Sequence, residues 1–199
     1  LLRQDFVFRH AVVLSFVLIM WVGVCVHNRH LFNPDIPRID TNQGTYSLVR
    51  DRESLHILKN HTPLFSLPDM SAEESLMLPL LYGTEPRDVL LFRRWDLVPL
   101  LKRFPRIRFI LIEPDRRFAD FMKEHLSLPG SVTVISSDLM SYLRSRDRVF
   151  DLAIMSEQIP VSLQAQRYYT RSMMKLLAET VENNGVLVYP LPFQEGYNS

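Results

Sequence analysis

From residue 88 onward the chain repeats one pattern, a short and nearly continuous apolar run followed by an amphipathic stretch. The runs are DVLLF at 88–92, RFILI at 108–112, VTVIS at 132–136, FDLAIM at 150–155 and VLVY at 186–189. Apolar runs this short, without polar alternation, belong to strands covered on both faces. The stretches at 97–103, 116–126, 139–144 and 168–181 have the helical spacing to supply those covers. The order predicts an α/β fold with an open parallel sheet; sheets of this kind often continue, so an incomplete C-terminus is an expectation. Residues 45–50 and 54–59 alternate apolar and polar around Asp51-Arg52-Glu53, which predicts a small β-hairpin ended by Pro63 and Pro68. Ser71 with Glu74 three residues on forms a capping box that opens a helix to about residue 81, and Gly83 ends it.

The other end of the chain is of a different kind. AVVLSFVLIMWVGVCV, residues 11–26, carries no charge over sixteen positions. With Arg9 able to reach the headgroups, residues 9–26 approach the ~20 residues that cross a bilayer. Trp21 suits an interfacial position. Arg3 and Arg9 before the span balance Arg29 and Arg38 after it, so the side of the soluble part stays undecided. His27 and His30 share a helical face, but no carboxylate or cysteine joins them as a metal ligand. Pro34 and Pro37 mark a linker. The expected organisation is 1–32 transmembrane helix and flanks, 33–44 linker, 45–82 hairpin and helix, and 83–199 α/β domain.

The single cysteine, Cys25, excludes a disulfide framework and a cysteine-based zinc site, and a net charge of +1 gives no footprint for nucleic acid. No P-loop is present, and no nucleophile-elbow glycines surround Ser156. Only six glycines occur in 199 residues, at 23, 44, 83, 130, 185 and 196. None lies between Phe92 and Val98, the turn where an α/β sheet brings its backbone against a ligand.

FDLAIM, followed by RYYTRSMMKLLAETVENNGVLVYPLP, resembles a segment of the spermidine synthase family, with its "FYT-x-x-F" helix and "L-x-x-x-G-V-L-V" strand. The likeness extends over residues 45–192, and the hairpin-then-helix start is similar to the family's N-terminal β-region. The arrangement is most similar to bacterial forms in which transmembrane helices precede the synthase-like domain. The resemblance implies a methyltransferase-type Rossmann fold and a place in the bacterial inner membrane.

The same resemblance locates a site. The family's GGGDGG loop, which binds S-adenosylmethionine or its decarboxylated form, corresponds to Arg93-Arg94-Trp95-Asp96-Leu97-Val98, and only Asp96 matches. Trp95 has the bulk to fill that space. Glu113, in Ile112-Glu113-Pro114-Asp115, matches the acid that holds the ribose hydroxyls, and Asp138 matches the aspartate that contacts adenine. Glu113 and Asp138 also suit helix starts without any ligand. At the family's catalytic aspartate positions stand Ser156 and Ile159, and a serine without a partner base has no useful basicity. The family's polycation site is represented by Lys59, which repels a cation, and its tyrosine and histidine by Ala72 and Glu73.

These substitutions lead to a membrane-anchored pseudoenzyme, a structural or assembly subunit of a larger membrane complex. It contacts lipid through residues 9–26 and other membrane-protein subunits, with no cofactor and no metal. Two alternatives stand beside it. One is a divergent aminopropyl or methyl transferase using S-adenosylmethionine or its decarboxylated form on Asp96, Glu113 and Asp138. The other is an anion-binding module built on Arg93 and Arg94, since arginine forks suit phosphate. The clusters at 103–108 and 116–117 read as solvated faces, or as a surface for anionic lipid or a partner.

Overall fold

The computed structural model describes residues 36–82, 86–145, 149–156 and 166–189. The described residues from Arg38 onward gather into one compact unit. The membrane span expected at 9–26, with His27 and His30, lies outside the described residues. Among the described residues no helix is long and apolar enough to cross a membrane.

Five parallel strands form the centre, β5 (Asp88–Phe92), β6 (Arg108–Ile112), β7 (Val132–Ile135), β8 (Phe150–Ile154) and β9 (Val181–Val188), in the order β7-β6-β5-β8-β9. The pleat sends alternate residues to opposite faces. Val89, Leu91, Phe109, Leu111, Leu152 and Ile154 enter one core; Leu90, Phe92, Ile110, Ile112, Phe150 and Ala153 enter the other. Both faces being covered explains why these strands read as apolar runs. Each fully buried aliphatic or aromatic side chain contributes about 1.5–3 kcal/mol.

The first face is covered by α2 (Val98–Leu101), α3 (Arg116–His125) and a second sheet. Into the second face pack α4 (Leu139–Arg144) and α5 (Arg171–Thr180). In α3 the Asp115 side chain caps the helix by accepting the Phe118 N–H, and Phe118, Ala119, Phe121 and Met122 form the buried stripe.

The predicted hairpin is the middle of a larger element. Strands β1 (Arg38–Thr41), β2 (Gly44–Arg50), β3 (Leu55–Lys59) and β4 (Thr62–Leu67) make a four-stranded antiparallel sheet in sequence order. β1 falls where a linker is expected. β4 contains Pro63, which its edge position tolerates because an edge strand leaves one side unpaired. Asn60 and His61 join β3 to β4 with φ of 50° and 66°, the left-handed pair that a two-residue hairpin turn needs. Tyr46, Leu48 and Ile57 carry this sheet into the first core.

Helix α1 (Met70–Tyr82) starts one residue before the expected cap. Asp69 is the capping residue, its Oδ1 accepting from the Ser71 N–H and hydroxyl and the Ala72 N–H. The expected helix at 97–103 is a 3₁₀ turn (Trp95–Leu97) running into α2. The last strand begins at Val181, earlier than expected, directly after α5. Its register against β8 jumps between Phe150↔Val181 and Leu152↔Val186. Gly185 sits in that bulge, where a Cβ would lie 2.8 Å from the Asp151 carbonyl.

Candidate functional site

The strand order reverses between β5 and β8, and in open α/β sheets ligands bind outside the carboxyl ends of the strands at such a point. The loop leaving β5 occupies that crevice with its own side chains. Arg94, only 2% exposed, places its guanidinium there. It donates from Nε to both Asp96 oxygens, at 3.1 and 3.0 Å, and from Nη2 to Asp96 Oδ2 at 2.6 Å. Nη2 also donates to the Ser75 hydroxyl of α1 at 2.6 Å, and Nη1 reaches the Met155 carbonyl at the end of β8. Ser75 passes its own hydrogen to the Ala72 carbonyl. One guanidinium thus ties together α1, the loop and the end of β8.

Trp95 follows, with no exposed surface, packed edge-on to Phe118. Its indole N–H donates to Glu113 Oε2 at 3.0 Å. Glu113, also fully buried, accepts the Asp115 N–H on its other oxygen and has Arg93 Nε at 3.7 Å. Burial pushes the Glu113 carboxyl above its usual range, with Arg93, the Asp115 N–H and the Trp95 N–H pulling it back. Glu113 is not a helix cap; that part falls to Asp115.

Asp138 stands at the N-terminus of α4, but its carboxylate caps no backbone N–H. It accepts from Arg167 Nη2 at 2.9 Å and from the Tyr168 hydroxyl at 3.0 Å. Tyr168 lies against Phe92 at the end of β5, ring centroids 4.7 Å apart, and is nearly buried. The three carboxylates singled out in the sequence, Asp96, Glu113 and Asp138, therefore each hold a donor from the chain itself. The sequence alone assigns no role to Arg167 or Tyr168; the signal that marks them is their place in the RYYT segment, just ahead of the α5 cap at Thr170.

Ser156 is buried at the end of β8, and its carbonyl accepts from the Tyr169 hydroxyl at 3.4 Å. Ile159 lies outside the described residues. Ala72 is a core residue, and Glu73 pairs with Arg103 on the surface. Of Arg93 and Arg94, the pair expected to act on an anion, Arg94 already has an internal partner. Arg94 is committed to Asp96, and its guanidinium is not open to a second anion. Among the described residues no group of three histidine, cysteine or acidic side chains gathers with metal-binding geometry.

Solved structures similar to this chain include spermidine synthases. A spermidine synthase in complex with the transition-state analogue AdoDATO superposes with a TM-score of 0.66 at 15% identity, over 76% of this chain and 56% of that one. The spermidine synthase of Thermotoga maritima gives 0.61 at 14% identity, over 76% and 54%. A probable spermidine synthase of Corynebacterium glutamicum gives 0.61 at 13% identity, over 76% and 62%. This chain thus spans little more than half the length of those enzymes. No protein-family model matches it, and no curated protein matches it in sequence. Likeness at this identity is likeness of architecture, and sites carry function. The chain has a spermidine synthase-like fold, with a methyltransferase-type Rossmann sheet at its centre.

Proposed function

We propose that this protein is a non-catalytic member of the spermidine synthase-like architecture, held at the membrane by residues 9–26 and serving as a structural or assembly subunit of a larger membrane complex. The observation that supports it most is the 3.0 Å hydrogen bond from the Trp95 indole to Glu113, both side chains having no exposed surface. The resemblance puts ribose hydroxyls on that carboxylate. A nucleoside would have to expel a buried indole, a loss of about 3–5 kcal/mol judged by truncation of buried tryptophans. Arg94 in the crevice and Arg167 with Tyr168 on Asp138 raise the same obstacle at two further points. At the catalytic position Ser156 offers no carboxylate to take a proton from an amine.

Titration calorimetry of the full chain with S-adenosylmethionine, decarboxylated S-adenosylmethionine and methylthioadenosine tests the absence of a nucleoside site. No saturable heat is expected; micromolar binding of any of them restores the transferase alternative. Carbonate washing of native membranes tests the anchor, with the protein expected in the pellet and release refuting it. Native electrophoresis after gentle solubilisation tests the assembly role, and migration of the chain alone would remove it.

A further inference from the structure

We propose that the outward face of α1 is a membrane-docking surface, which lays Leu78 and Leu81 into the headgroup layer of a bilayer carrying anionic lipid. The inference rests on the anchored reading given above and adds a second point of contact to it. Five large apolar side chains stand exposed among the described residues, and three of them are on α1: Met70 at 85%, Leu78 at 53% and Leu81 at 76%. At 3.6 residues per turn these three fall within an arc of about 80°, with Met77 beside them. The opposite side of the helix buries Ala72 and Leu76 in the first core. A helix apolar on both sides has something to cover each, and a run of exposed apolar side chains marks a contact surface.

Two observations choose a bilayer as the cover. The first is charge. Arg103 reaches α1 through its 2.5 Å contact with Glu73, which brings the exposed Lys102, Arg103 and Arg106 alongside the apolar row. That pair neutralises Glu73. Glu74 is the acidic group left on the face, one turn before Leu78 and two before Leu81, so the C-terminal turn is the part that enters. Leucines flanked by lysine and arginine suit a membrane interface, where the acyl boundary takes the apolar side chains and anionic headgroups take the cations. The second is reach. Eleven residues, 27–37, separate the anchoring run from β1. Fully extended they span at most about 40 Å, and a folded unit of this size has a radius of gyration of about 15 Å. A tether of that length keeps the face of α1 within reach of the same bilayer, at high effective concentration.

The test uses the full chain in vesicles of phosphatidylcholine, with and without phosphatidylserine. Cys25→Ser removes the native thiol, and Leu81→Cys then carries an environment-sensitive dye. Gly130→Cys is the control, since nothing lies within 4 Å of a Cβ there. Flotation of the vesicles reports the anchor by itself. In floated vesicles the dye at 81 is expected to shift to the blue. Nitroxide-labelled lipid should quench it severalfold more than the dye at 130, with a further gain from phosphatidylserine. Leu78→Glu should abolish that excess and leave the thermal midpoint unchanged, because the side chain is exposed. Lys102→Glu with Arg106→Glu should remove the gain from phosphatidylserine. Equal quenching at 81 and 130 in vesicles that float overturns the docking and leaves the anchor standing. A blue-shifted dye that the lipid quencher does not reach gives the face to protein and overturns the bilayer as its occupant. A chain that does not float refutes the anchor, and the docking with it.

Discussion

Arg94 and Asp96, two residues apart, close an ion pair inside the protein through three nitrogen–oxygen contacts of 2.6 to 3.1 Å. Such a pair contributes little relative to a well-packed apolar pair, but breaking it leaves one charge stranded. Arg94→Ala or Asp96→Ala is expected to lower stability by about 3–5 kcal/mol. Arg94→Lys should recover only part of this, because an ammonium cannot make the forked contact. Chemical denaturation midpoints decide it, and a loss under about 1 kcal/mol in the alanine variants would show the pair to be incidental.

Replacing Trp95 with Phe keeps most of the packing but removes the donor to Glu113. A loss of about 1–3 kcal/mol is expected, the usual cost of a buried acceptor left short of a partner. Because burial raises the Glu113 carboxyl, its contribution to stability is full below the unfolded value of 4.5 and is lost as pH rises through the folded value. Glu113→Gln should flatten that decline in denaturation curves taken from pH 4 upward.

Asp51 gives the opposite sign. The His56 hydrogen bond, with the Glu53 and Ser54 N–H groups, holds its carboxyl at about 2, against an ordinary 3.8. Its contribution is present above 3.8 and disappears as pH falls through about 2. Carbon NMR of the Asp51 carboxyl should titrate with a midpoint near 2 and, in a His56→Ala variant, move toward 3.8. A midpoint of about 4 in the parent protein would count against the bond.

Two glycines should respond differently to alanine. At Gly185 the new Cβ would stand 2.5 Å from Val181 Cγ1 and 2.8 Å from the Asp151 carbonyl, so Gly185→Ala should cost about 1–3 kcal/mol. Around Gly130 nothing lies within 4 Å, and Gly130→Ala should be neutral or stabilise by up to about 1 kcal/mol. Thermal unfolding of the two variants side by side is the measurement.

Strands β5 to β8 were legible because burial on both faces leaves an unbroken apolar run, and Asp115 and Asp138 fall at the junctions where helices start. β1 and β4 were not, because Pro37 and Pro63 carry the same signal in a linker and at a sheet edge. The Asn60-His61 turn lacks the glycine that advertises a left-handed pair. Within the site, the missing glycines of 93–98 were plain in the sequence. What replaced them was not, because the Trp95–Glu113 contact joins residues 18 apart and the Arg167–Asp138 contact residues 29 apart. No local spacing rule reaches so far.

The donors that hold Glu113 and Asp138 travel with the chain. A diffusible ligand stabilises a folded protein by mass action, in proportion to the logarithm of its concentration. Indole and guanidinium groups fixed to the backbone have no such dependence. The Glu113 and Asp138 carboxylates thereby keep these partners at every metabolite concentration, and under the non-catalytic role proposed above the amount of folded protein is uncoupled from nucleoside supply.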